Sequence, residues 1–146
     1  MTVALHDATV LDLSQGLSGP FCSLLLGDLG ARVIKVESLE GDWARQLEPR
    51  QGSHSAVFLA LNRNKVSVAA DYQSAAGRDV VQRLAQRADM VLCDTSPVRA
   101  MALGLDYATL SHPQRPAGAS SRVDRAFRAG VPHPSGGLVA QSANPG

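Results

Sequence analysis

The chain has 146 residues, 45% of them hydrophobic and 18% charged, a composition that suits one globular domain and excludes collagen-like, fibrous and disordered polypeptides. Fourteen basic against thirteen acidic residues leave a formal charge of +1, and no stretch gathers Lys and Arg into the stripe that nucleic acid requires. The apolar runs at 24–26 and 57–61 fall far below the roughly 18–20 residues of a spanning helix, and the start, with His6 and Asp7, lacks a secretion signal; the expectation is a cytosolic protein without a membrane span.

Val10-Leu11-Asp12-Leu13 reads as a short strand, followed by a Gly/Ser-rich turn over 14–19. Ser18 is the expected N-cap and Pro20 sits in the first helical turn, where its missing N–H costs nothing. Residues 21–29 are apolar nearly all round and stop at Gly30, which predicts a buried helix with a left-handed C-cap. Arg32-Val33-Ile34-Lys35-Val36-Glu37 follows as a second strand, completing a β-α-β unit of the kind that builds parallel sheets. Residues 38–56 read as a surface loop with a helical turn around Trp43. Beyond the apolar 57–61 and the polar turn Asn62-Arg63-Asn64-Lys65, a strand is predicted over 66–70.

Ser74 is placed to cap a helix whose apolar face is Val80, Val81, Leu84, Ala85 and Ala88. A strand over 90–93, an exit loop over 94–97, a short helix over 98–103 stopped by Gly104, and a helical turn capped by Asp106 complete a doubly wound α/β pattern. From Pro113 onward five of the eight prolines and five of the thirteen glycines are concentrated among few apolar groups. Such a segment cannot offset its ordering entropy, and a disordered tail is expected over 113–146.

Chemistry is harder to read than fold. The turn at 15–20 opens a helix and offers free amides to an anion, yet it has neither GxGxxG nor GxxxxGK[ST] spacing. In open α/β sheets ligands bind beyond the carboxyl ends of strands, which here are Glu37 and Ser38, residues 71–73, and residues 94–96. Those exits and the first turn converge on one crevice for a small molecule. Glu37 is the best-placed candidate base, and its plainer reading is an exposed carboxylate beside Lys35 or Arg32. No carboxylate dyad, triad or HExxH-type site can be read. Cys22 and Cys93 stand alone and read as two reduced core residues, with no disulfide or metal site indicated.

Several motifs occur together in order: Val10-Leu11-Asp12-Leu13, Gly19-Pro20-Phe21-Cys22, Leu26-Gly27-Asp28-Leu29-Gly30-Ala31, Gly41-Asp42 with Arg45, Phe58-Leu59-Ala60-Leu61-Asn62-Arg63-Asn64-Lys65, Gly77-Arg78, Ala88-Asp89-Met90-Val91 and Leu103-Gly104-Leu105-Asp106-Tyr107. In register and spacing, residues 8–114 resemble the opening of the family III CoA-transferases, the group of formyl-CoA transferase, carnitine CoA-transferase and α-methylacyl-CoA racemase. The resemblance implies a Rossmann-like part binding the CoA of an acyl-CoA thioester, in a family of longer chains that form homodimers. By position, the CoA contacts it implies are Leu17, Ser18, Ser38, Ala70, Asp71, Tyr72, Gln73, Asp94, Thr95, Ser96 and Ala102.

The chain departs from the family pattern in places. Leu17 stands where formyl-CoA transferase has Gln, and the basic residues often found at the positions of Ser38 and Ala102 are missing, which leaves Arg99 as the substitute for phosphate recognition. Neither the transferases' catalytic Asp nor the racemases' His and Asp are recognisable, and Asp124 and His133 do not take those roles. Residues after about 114 read as out-of-frame sequence. The sequence therefore predicts an N-terminal CoA-binding fragment of a CoA-transferase or acyl-CoA racemase, inactive alone and without a metal. The alternatives are a non-catalytic CoA-binding or interaction module and a small nucleotide-dependent α/β enzyme.

Overall fold

A computed structural model describes residues 4–106, 108 and 109, together with the backbone of 126–127. Four parallel strands form the sheet: β1 (Thr9–Asp12), β2 (Arg32–Glu37), β5 (Val66–Ala69) and β6 (Met90–Leu92). A two-stranded antiparallel hairpin, β3 (Arg50–Gln51) and β4 (His54–Ser55), stands apart. The sheet order is β5-β2-β1-β6, with a short β7 (Ala126–Phe127) paired parallel to β6 at the edge. Chain progression runs outward from β1 through β2 to β5 and then returns to β6 on the other side of β1. That reversal is a topological switch point, where an open α/β sheet leaves a crevice at its carboxyl edge.

The helices are α1 (Ser18–Asp28), α2 (Ala56–Leu61), α3 (Ala75–Ala85) and α4 (Pro97–Ala102), with a 3-10 turn at Trp43–Gln46. On one sheet face α3 buries Val81 and Ala85, with Ala88 just beyond its end, against Leu11, Leu13, Val36 and Val91. Each such side chain, if Val- or Leu-sized, contributes about 1.5–3 kcal/mol on burial. The other face is thinner, with Val10, Ala31 and Val33 at its centre under Leu26.

The alternation of strands and helices follows the sequence reading, and three local expectations change. Ser18 is the first helical residue rather than the cap; Leu17 occupies that position and offers no side-chain acceptor. The helix α1 is not buried all round: Phe21, Leu25 and Leu29 are each about half exposed, since only the side bearing Gly19, Pro20, Ser23 and Leu24 meets the sheet. Val80 is likewise 42% exposed, outside the apolar face of α3. Ser74, by contrast, caps α3 as expected, its Oγ accepting from Gly77 N at 3.0 Å, and Gly30 takes the left-handed conformation with φ +99°.

Sequence periodicity misses the hairpin and α2. Ser55 caps α2 by accepting from Phe58 N at 3.2 Å, but six residues are too few for a helical period to show. Beyond Pro113 no strand is expected, yet Ala126–Phe127 extends the sheet. The remainder of the expected tail lies outside the described residues.

Candidate ligand site at the switch point

Three ion pairs organise the carboxyl edge of the sheet. Asp12, at the end of β1, is fully buried and accepts from Lys65 Nζ at 3.1 Å, from Ser23 Oγ at 2.5 Å, from Ser14 N at 3.0 Å and from Ser14 Oγ. Lys65 spends its other two protons on Pro20 O and Asn62 Oδ1, both at 2.9 Å. Lys35, 1% exposed in the middle of β2, reaches Ser14 O at 2.8 Å and Asp42 Oδ2 at 2.9 Å. Glu37 takes a bidentate contact from Arg45, 2.7 Å on each oxygen, and a hydrogen bond from Asp42 N at 2.9 Å. Arg45 in turn lies 3.8 Å over the Phe58 ring, a cation–π contact.

These groups have shifted titrations with opposed causes. Burial pushes the Asp12 carboxyl up, but Lys35, Lys65 and the two serine hydroxyls together hold it below its ordinary range. Burial likewise opposes Glu37, and the Arg45 contact and the Asp42 amide win, keeping it low. Burial lowers the Lys65 ammonium despite the Asp12 charge beside it. Glu37 is thus a buried, locked carboxylate rather than the exposed one or the base that the sequence suggests. Val33, Lys35 and Glu37 share a parity in β2 and all three are buried, but so is Val36 on the opposite face, so alternation alone does not mark Lys35 and Glu37 as inward.

The first loop hangs from this framework by three successive amides. Ser14 N donates to Asp12 Oδ1 at 3.0 Å, Gln15 N to Asp94 Oδ2 at 2.9 Å and Gly16 N to Asp42 Oδ1 at 2.8 Å. Of the turn at 15–20 expected to offer open donors to an anion, the Gln15 and Gly16 N–H groups are taken by the protein's own carboxylates. Gly16 adopts φ +75°, and the Trp43 indole lies so close that a Cβ there would overlap the ring.

Above the loop opens a cavity of about 580 Å³. It lies at the switch point between β1 and β6, with walls from every strand exit of the four-stranded sheet. Apolar surface comes from Leu13, Leu17, Trp43, Leu103 and Leu105. Among the described residues Arg99 is the single cationic side chain lining it, against Glu40, Asp71 and Asp94. Burial raises the Asp94 carboxyl, the like charge of Asp12 adds to this, and the Gln15 amide offsets it only in part. Tyr72 donates its hydroxyl to Val36 O at 2.7 Å, and burial pushes its titration up.

Residues 5–115 match CoA-transferase family III. The chain belongs to this family. It is 39% identical over 105 residues to a succinyl-CoA:glutarate CoA-transferase of Homo sapiens, covering 70% of this chain and 24% of that protein. To a probable fatty acyl-CoA transferase of Mycobacterium tuberculosis it is 40% identical over 99 residues, covering 66% and 25%. A CaiB/BaiF family protein from Brucella suis superposes with a TM-score of 0.71 at 38% identity, covering 76% of this chain and 31% of that one. The chain therefore spans about a quarter of the length of the curated relatives it matches.

Of the positions that the resemblance to CoA-transferase family III singles out, Leu17, Ser18, Ser38, Asp71, Tyr72, Gln73, Asp94 and Thr95 line the cavity. Three others do not. Ala70 is 5% exposed in the core and donates its amide to Glu37 O at 2.9 Å. Ser96 is occupied as the cap of α4, accepting from Arg99 N at 3.3 Å, and Ala102 ends that helix on its exposed side. Gln15, Glu40 and Trp43 were missed. Trp43, the chain's one tryptophan, lies in a loop without periodicity and is 52% exposed.

Of the two cysteines, Cys93 is buried as expected and lines the cavity floor, while Cys22 is only half-buried. Burial and the Asp12 charge push the Cys22 thiol up, away from a reactive thiolate. Among the described residues no helix is long and apolar enough to cross a membrane.

Proposed function

We propose that this cavity binds the CoA portion of an acyl-CoA thioester and that the chain supplies the CoA-binding part of a CoA-transferase or acyl-CoA racemase. The observation carrying the reading is the convergence of all four strand exits on one cavity at the switch point, in a chain of this family. The chemistry of the lining suits such a ligand in part. Trp43 and the leucines offer area for the adenine and pantetheine groups, the hydroxyls of Ser18, Ser38 and Thr95 offer polar contacts, and Arg99 offers one cation for phosphate.

Binding and orientation are the contribution of this part. Asp12, Glu37 and Asp42 are each committed to a cation and to backbone amides, so none is free to attack a thioester or to take an α-proton. The same proposal includes the homodimer implied by the resemblance and the cytoplasmic setting expected from the sequence.

The test is a titration of the chain with CoA, read by the fluorescence of Trp43 and by thermal melting. A saturable fluorescence change with a rise in melting temperature is the expected outcome. Stabilisation by NAD or ATP without an effect of CoA would overturn the reading in favour of a nucleotide-dependent enzyme.

A further inference from the structure

Asp94 is built like the framework carboxylates and differs in one respect. Like Asp12 and Asp42 it accepts an amide of the first loop, here Gln15 N at 2.9 Å. Asp12 and Asp42, however, each hold a buried lysine ammonium. Among the described residues Asp94 holds no cation at ion-pair distance. Behind it lie Asp12 of β1, a like charge that disfavours its ionised form, and Lys35 of β2, whose ammonium is committed to Asp42. Around the cavity it shares space with Asp71 and Tyr72 after β5, with Cys93 before it, with Glu40 after β2, and with Arg99 on α4. Glu40 lies in water, where salt screens it. Asp94 and Asp71 are both half-buried, and of the two it is Asp94 that holds the first loop, through Gln15 N.

We infer that Asp94 sets the charge selectivity of this cavity, penalising the phosphates of a CoA ligand, so that neutralising Asp94 is coupled to their binding. The inference rests on the CoA reading above and adds what that reading does not contain: the described lining, with three carboxylates and one guanidinium, resists a polyanion. One unit of like charge at a half-buried site is worth about tenfold in Kd. Burial raises the titration of Asp94 above that of an ordinary carboxyl, so the carboxyl takes up a proton more readily than an ordinary carboxylate would as an anion approaches.

The experiment compares the chain with its Asp94→Asn variant, which keeps an oxygen acceptor for Gln15 N. Each is titrated between about pH 5 and pH 8 with CoA and with dephospho-CoA, whose diphosphate holds its charge throughout that range, and binding is read from Trp43. For dephospho-CoA, the unmodified chain should lose affinity as the pH rises through the titration of Asp94, by about tenfold once that titration is complete. The variant should bind about tenfold more tightly at the upper end and show a flat profile, with a larger gain for CoA. Calorimetry of the unmodified chain in two buffers of different ionisation enthalpy should show proton uptake on binding, a readout that does not need the variant to fold.

Equal affinities at the upper pH together with no proton uptake would overturn the role of Asp94 and leave the CoA reading standing. Absence of saturable binding by both proteins at every pH would overturn the CoA reading, and the inference with it.

Discussion

The two sides of the switch point use the same residue type to different ends. On the β1–β2 side Asp12, Glu37 and Asp42 are buried, and each is matched by Lys65, Arg45 or Lys35. On the β5–β6 side Asp71 and Asp94 reach the cavity, and among the described residues neither forms an ion pair. Both sides hold the backbone in the same way, by carboxylate oxygens accepting loop amides: Gly16 N on Asp42, Gln15 N on Asp94 and Gln73 N on Asp71. The hydrogen bonds alone therefore do not separate scaffold from site. The counter-charge does: the carboxylates fully withdrawn from water each hold a cation that keeps them ionised, while Asp94, half-buried at the cavity, has none at ion-pair distance among the described residues and its titration is raised by burial.

The comparison breaks most visibly at Lys35. Lys35→Met removes the ammonium and leaves Asp42 buried without its cation, and the expected loss is about 3–5 kcal/mol, measured by urea unfolding. The double variant Lys35→Met/Asp42→Asn should recover a large part of it, since the cost lies in the stranded charge and not in the missing contact. Asp94→Asn should raise the melting temperature at neutral pH slightly, because it removes a carboxylate whose ionisation burial penalises.

Acid exposes the same contrast. Asp12 and Glu37 titrate below their ordinary values of 3.8 and 4.5, so their stabilisation is complete above those values and disappears as the pH falls beneath them. Asp94 carries the opposite sign: its folded pKa is raised, and its penalty grows as the pH rises through that value. Urea midpoints measured against pH should fall steeply in the acid range, and the Asp94→Asn variant should gain at neutral pH relative to the parent.

Gly16→Ala comes next in size. It places a Cβ at φ +75° against the Trp43 indole, and we expect a loss of about 2–3 kcal/mol from backbone conformation and overpacking combined. Because Trp43 must move, its emission should shift to the red as the ring enters water. An unshifted spectrum with an unchanged melting temperature would mean that the loop and the indole do not pack as described.

Legibility in the sequence follows the same division. Strands β1, β2, β5 and β6 and helix α3 were readable because their apolar periods are long enough to register and their ends carry Ser74, Gly30 and Gly104. The crevice was readable from the rule that ligands bind at the carboxyl ends of strands. The ionic framework was not. Lys35 and Glu37 look like the solvated residues of an edge strand, and only three-dimensional pairing with Asp42 and Arg45, far along an aperiodic loop, turns them inward. Trp43 was hidden for the same reason. The exposed stripe of Phe21, Leu25 and Leu29 was misread as core because a sequence shows that a helix is apolar, not how much sheet there is to cover it.

The smallest effect tests whether the β5–β6 side is as independent of the ionic framework as its chemistry suggests. Ser74 Oγ accepts from Gly77 N and donates to Asp71 O, both at 3.0 Å, so it closes the loop carrying Asp71, Tyr72 and Gln73 onto the start of α3. Ser74→Ala removes a helix cap and should cost about 1 kcal/mol. It touches no ion pair, so the steepness of acid unfolding should be that of the parent, merely displaced to lower urea. Gly77, whose missing Cβ lets the helix approach the Asp71 carbonyl, still fixes the position of that loop, and CoA affinity should therefore change less than twofold, or about 0.4 kcal/mol. A larger loss of affinity than of stability would show that the loop is held by its cap rather than by close packing, and that this wall of the cavity is the softer of the two.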